Sequence, residues 1–139
     1  MNDNFDLTTA TSATEQTPTA DTTAPATLPE NYLVNGYEGP DALDFYGRYA
    51  REIAAKLSSM DKEQFRAFYA KVDNACWDSF EVRQRTVAKL TAAARNMVLH
   101  NNAPQIFYEL FEANRSAIQT LRDFSYFRDH LECIYCYMK

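Results

Sequence analysis

The chain has 139 residues, 46% hydrophobic and 14% aromatic, which gives room for one domain with a real core. Its net charge of -5 is unevenly placed, because residues 1–47 hold eight Asp or Glu and no Lys or Arg, leaving 14 basic against 11 acidic residues in 48–139. No apolar run is long enough to span a bilayer and no basic or apolar leader opens the chain, so the composition speaks against membrane anchoring and export. A cytoplasmic location is expected, with Cys76, Cys133 and Cys136 as reduced, buried structural thiols.

Residues 1–31 are dominated by Thr, Ala and Pro, with Phe5 and Leu7 among the few large apolar side chains. Such a stretch cannot bury enough surface to offset its conformational entropy. The expected organisation is therefore an acidic, disordered tail and joint over 1–40, followed by a helical bundle domain over 41–139, with Asn35 to Pro40 as the joint.

From there the apolar residues recur at helical spacing and period-2 alternation is absent, which predicts an all-α, compact bundle of about five helices. The first is expected from Asp41 to about Leu57, on a face of Tyr46, Tyr49, Ala50, Ile53 and Leu57. The second begins at Asp61, where Asp61 and Gln64 have the spacing of a reciprocal cap, and continues through Phe65, Phe68 and Val72 toward Cys76. Trp77 falls in a turn, after which Asp78 and Glu81 suggest the cap of a third helix running to about Leu99. Pro104 suits the first turn of a fourth helix carrying Phe107, Phe111, Asn114 and Ile118. A cap at Thr120 to Asp123 opens the last, whose Phe124, Phe127, Leu131, Ile134 and Met138 follow a 3-4-3-4 pattern.

A second stripe, Tyr126, His130, Cys133 and Tyr137, runs beside that pattern. An element apolar around this much of its circumference lies at the bundle centre or under another protein.

Motifs for catalysis are hard to assemble. Cys133 and Cys136 form Cys-x-x-Cys, yet zinc would need two more ligands, and Cys76, His100 and His130 match no finger or ribbon spacing. A redox pair expects a helix N-terminus after a strand, not the interior of a last helix. Two histidines offer no defined nucleophile arrangement, and no glycine-rich phosphate loop exists. The chain is expected to be no enzyme and to need no cofactor. What remains is a basic set from Arg48 to Arg95, ten basic against six acidic residues, including Arg48, Lys56 and Arg83. It could line a backbone-tracking groove or form ordinary solvated helix faces.

Three segments taken together resemble the small subunit of the type III-A CRISPR (Csm) effector complex. They are Asp61-Lys62-Glu63-Gln64-Phe65-Arg66-Ala67-Phe68-Tyr69, then Lys89-Leu90-Thr91-Ala92-Ala93-Ala94-Arg95, and the closing run from Phe124 to Lys139 with its Phe-x-x-Phe and final Tyr-x-Lys. The similarity covers about residues 45–139 and leaves the acidic tail outside. Ala67 stands where the family often has Lys, and Thr91 where it often has Tyr. The resemblance implies a non-catalytic helical bundle that stacks in several copies with other Csm subunits and helps hold crRNA and target RNA, with Arg66 and Arg95 as the matched basic positions. Lys62, Arg85 and Lys89 join them from their helix faces alone, and Arg66 has a second reading as an ion-pair partner within the bundle.

Two other classes fit parts of the sequence. One is a protein-only adaptor or oligomerisation module using Tyr126, Cys133 and Tyr137 as its contact surface. The other is a helix-turn-helix DNA binder on the second and third helices, against which stand the acidic Asp73 to Ser79 connection and its lack of glycine.

Overall fold

The computed structural model describes residues 27–139; the greater part of the expected tail lies outside the described residues. Among the described residues all regular structure is helical: a 3-10 turn at Ala42–Phe45, then α1 (Arg48–Lys56), α2 (Lys62–Ala75), α3 (Phe80–Leu99), α4 (Gln105–Ala117) and α5 (Leu121–Tyr137).

The first helix is shorter than the spacing predicts. Gly47, at φ -129° and ψ -94°, breaks the segment expected to run from Asp41, so a 3-10 turn and an α-helix stand in place of one element. Pro104 stands at the start of α4 without a side-chain cap, while α2, α3 and α5 start on side-chain caps. Asp61 accepts from the Glu63 amide at 3.0 Å, and Ser79, not Asp78, caps α3 by accepting from the Val82 amide at 3.3 Å. Thr120 accepts from the Asp123 amide at 3.0 Å while Asp123 accepts from the Gln119 amide at 2.9 Å, so both sides of that helix start are satisfied. Each such cap contributes about 1 kcal/mol.

The helices pack as two pairs, α3 against α4 and α1 against α5, with α2 touching both α3 and α5. The predicted stripe on α5 is the centre: Phe124, Phe127, Leu131 and Ile134 are wholly buried, and Met138 nearly so. Edge-on aromatic contacts carry the core across the pairs. Phe107 meets Phe68 at 4.9 Å and Phe111 at 5.3 Å, and Phe111 meets Phe127 at 5.6 Å between ring centroids. Pairs of this kind add about 0.5–1.5 kcal/mol beyond area burial.

The packed chain begins earlier than expected. Residues 28–37, placed by composition in the tail and joint, form a strap of successive turns against the bundle: Leu28, Tyr32 and Leu33 pack on the core and Tyr37 belongs to it. Gly36 (φ +70°) supplies a left-handed conformation there, and a side chain at Gly39 would collide with the Asn35 side chain and carbonyl. Leu33 also holds φ +62°, a costly conformation for a leucine that the surrounding packing sustains.

The strap is fixed by a buried polar relay. Tyr37 Oη donates to Asn114 Oδ1 at 2.6 Å; Asn114 Nδ2 donates to Tyr32 Oη at 2.9 Å and to the Leu110 carbonyl at 2.7 Å. Tyr32 Oη and His130 Nε2 are 2.8 Å apart, and His130 Nδ1 lies 2.6 Å from the Phe45 carbonyl. One proton arrangement satisfies every member: a neutral His130 donates from Nδ1 to Phe45 and accepts at Nε2 from Tyr32. Burial pushes the His130 imidazole down to about 4, against the pull of the Phe45 carbonyl, and pushes both tyrosines up.

Candidate nucleic-acid interface

The basic residues named by the sequence divide once they are placed. Arg83 is an internal strut. It is 9% exposed, donates from Nε to the Asp78 carbonyl at 3.0 Å and from Nη2 to the Cys76 carbonyl, and lies over the Phe124 ring at 5.3 Å. Its burial runs against the usual reading of arginine as a surface residue. The only hint in the sequence is its position among the apolar spacings of α3. Arg48 and Lys56 are committed locally, to Asp44 at 3.0 Å and Glu52 at 3.1 Å.

Lys62 and Arg66 share a face of α2 by spacing, but their surroundings differ. Lys62 is half-buried with its Nζ 4.7 Å over the Tyr135 ring of α5, whereas Arg66 is exposed and has no ion pair among the described residues. The structural-pairing reading of Arg66 therefore has no partner there.

On α3, Arg85, Lys89, Ala92 and Asn96 are exposed at spacings of four, three and four, which is one helix face. Arg85 reaches Glu81 at 3.2 Å, a pair with both side chains largely in water and readily exchanged for another anion. The ridge separates two grooves. One, of 390 Å³ between α3 and α4, is lined by Arg85, Ala88 and Arg115. The other, of 470 Å³ between α2 and α3, is lined by Lys71, Thr86 and Lys89. Arg95 sits to one side, 5.4 Å over the Tyr108 ring of α4. The structure thus joins Arg85 and Lys89 in a ridge flanked by Lys71, a member of the basic set, and by Arg115, which lies outside that set and pairs with Glu112 at 2.8 Å. Lys62 is directed to a different part of the surface, against α5.

Cysteine placement corrects an expectation. Cys76 and Cys133 are half-buried and Cys136 is exposed, all with free thiols, so none is a fully buried structural thiol. The buried stripe of α5 passes through Ile134 and Met138, which leaves Cys136 on the opposite face. Burial raises the Cys133 thiol above its ordinary value, with the neighbouring Cys136 acting in the same direction. Among the described residues no group of three His, Cys, Asp or Glu side chains is placed to hold a metal ion, and no helix is long and apolar enough to cross a membrane.

The second stripe of α5 is covered in part by the chain itself. Tyr37 stacks on Tyr126 at 6.3 Å and Tyr32 holds His130, while Cys133 is half-buried and Tyr137 is the exposed end of the stripe. No protein-family model, curated protein or solved structure matches the chain.

Proposed function

We propose that this protein is a non-catalytic small subunit of a type III-A CRISPR ribonucleoprotein, stacking in several copies in the cytoplasm and binding the backbone of crRNA and target RNA in support of RNA-guided antiviral defence. The three segment resemblances give the reading its family. The observation that carries it physically is the exposure of Arg66, Arg85, Lys89 and Arg95 on α2 and α3. The small exposed side chains Ala88, Ala92 and Ala93 beside them let a sugar-phosphate backbone come close. Guide complexes leave sequence reading to base pairing and use protein charge to hold backbone geometry. Arginine suits that task because its guanidinium binds phosphate in a fork.

The adaptor reading, on Tyr126, Cys133 and Tyr137, draws less support, since Tyr37 of the strap stacks on Tyr126 and only Tyr137 of the three is exposed.

The test is affinity purification of the tagged chain from its native cells, with a binding assay alongside. A large particle containing short RNAs of shared 5′ sequence is expected; protein partners with no discrete RNA would sink the proposal. In vitro, replacing Arg85, Lys89 and Arg95 by Ala should weaken single-stranded RNA binding and lower the slope of log affinity against log salt by up to about 2, for three lost phosphate contacts.

A further inference from the structure

A cavity of 510 Å³ opens where the end of α1, the start of α2 and the end of α5 meet. Its buried lining is apolar, from Ala54, Leu57, Met60 and Met138, while Arg51, Lys62 and Lys139 stand around it and no Asp or Glu does. Among the described residues none of these three cations has an ion pair. Arg51 and Lys62 lie over the rings of Tyr137 and Tyr135, at 5.7 and 4.7 Å, which holds them beside the cavity without neutralising them. Such a site fits an occupant that is apolar at its centre and anionic at its edges.

The chain carries a segment of that chemistry. Residues 1–26 contain Asp3, Asp6, Glu15 and Asp21 with no Lys or Arg, and their large apolar side chains, Met1 apart, are Phe5 and Leu7, which flank Asp6. The described chain starts beside the cavity. The Thr27 carbonyl accepts from Lys56 Nζ at 2.6 Å, and Lys56 follows Ala55, which lines the cavity. Phe5 lies 22 positions before Thr27, a span of up to about 70 Å at full extension, so its reach to the cavity is ample.

We propose that Asp3-Asn4-Phe5-Asp6-Leu7 docks in this cavity of its own chain, with the Phe5 ring on Leu57, Met60 and Met138 and the carboxylates of Asp3 and Asp6 on the surrounding cations. The tether makes a weak contact sufficient, because it supplies the segment at an effective concentration on the order of a millimolar. A seated segment covers Lys62, so that lysine meets another polyanion only when the acidic segment leaves. The contact itself requires no RNA and does not rest on the functional reading above.

Tryptophan fluorescence of the full chain tests it. The single tryptophan, Trp77, is 91% exposed in the turn that Arg83 holds, so Trp77→Phe is mild and leaves an indole introduced by Phe5→Trp as the sole reporter. That indole should emit at shorter wavelength than Trp77 of the wild type and be quenched several-fold less by acrylamide. Raising salt from about 0.05 to about 0.5 M should reduce the protection, because the ionic contacts lie at the surface. Adding Arg51→Glu with Lys62→Glu should remove it, and Asp3→Lys with Asp6→Lys in that background should restore it. Both reversed positions reach solvent, and an acid at position 62 suits the first turn of α2, so the fold is kept, as circular dichroism should show. An indole quenched as freely as Trp77, or protection indifferent to charge reversal, would overturn the proposal. Protection that fades on about hundredfold dilution would do the same and assign the cavity to the segment of a second copy. Because no RNA is present, failure here leaves the functional reading standing, and a native particle without RNA leaves this contact standing.

Discussion

The two sides of the bundle are held together by different chemistry. Where α2 meets the first half of α4 the interior is dry: Phe65, Phe68, Phe107 and Phe111 meet in tilted and edge-on contacts, and the buried Asn114 lies further along α4. Around α1, α5 and the strap, the interior is equally aromatic, with Phe45, Tyr49 and Tyr32 within 5.5 Å of one another, but a relay of Tyr37, Asn114, Tyr32 and His130 threads through it. A dry core asks for volume and tolerates swaps that conserve it. A networked core asks for particular donors and acceptors, because a member left unsatisfied costs more than the bond was worth. The strap carries little regular structure of its own, so it depends on that network for its place.

The comparison can be broken at several depths. Phe107→Ala should cost most, about 3–5 kcal/mol by urea unfolding, because the cavity opens where Phe65, Phe68 and Phe111 all lean on one ring. Phe107→Leu, which refills most but not all of that volume, should recover much of the loss.

Acid should attack the other side. The folded His130 imidazole titrates at about 4 and its unfolded counterpart at 6.5, so as pH falls the unfolded chain takes up the proton first. The stability contributed by neutral His130 is complete above pH 6.5, declines through the window between 6.5 and 4, and levels off below it, a total of about 3 kcal/mol. Unfolding free energies measured at successive pH values, with the His130 ring signal followed by NMR, check both the slope and its owner. An imidazole titrating near 6.5 in the folded chain would show that the relay does not bury it.

Tyr37→Phe is the mildest cut. It removes one hydroxyl and leaves Asn114 Oδ1 without its donor, which should cost about 1–3 kcal/mol. Amide exchange should quicken in residues 28–37 before it does in α4, and equal acceleration in both would show that the strap and bundle open together.

How much of this was legible beforehand depends on whether the signal was periodic. The five apolar residues of α5 declared their burial through 3-4-3-4 spacing, and all five are buried. The helix starts at Asp61 and Thr120 were equally plain, since capping is a matter of neighbouring residues. Gly47 was a weaker signal: it interrupts an otherwise helical face, and its effect on α1 follows from the backbone freedom that glycine brings. The basic residues were visible as a set, but sorting them was not possible from spacing. Arg83 and Arg85 are two apart and look alike, yet one is tied to the Cys76–Asp78 turn and the other lies in water.

The sequence by itself determined the all-helical class, the order of the helices and the burial of the α5 stripe, because periodicity and capping are local properties of the chain. Only the tertiary structure decided that residues 28–37 belong to the packed body, that Trp77 stands outside a locked turn, and that Lys62 turns toward Tyr135 instead of standing beside Arg66. Each of these rests on contacts between side chains far apart in sequence, such as Tyr32 with His130 across 98 residues, and a pairing of that kind leaves no trace in spacing or composition.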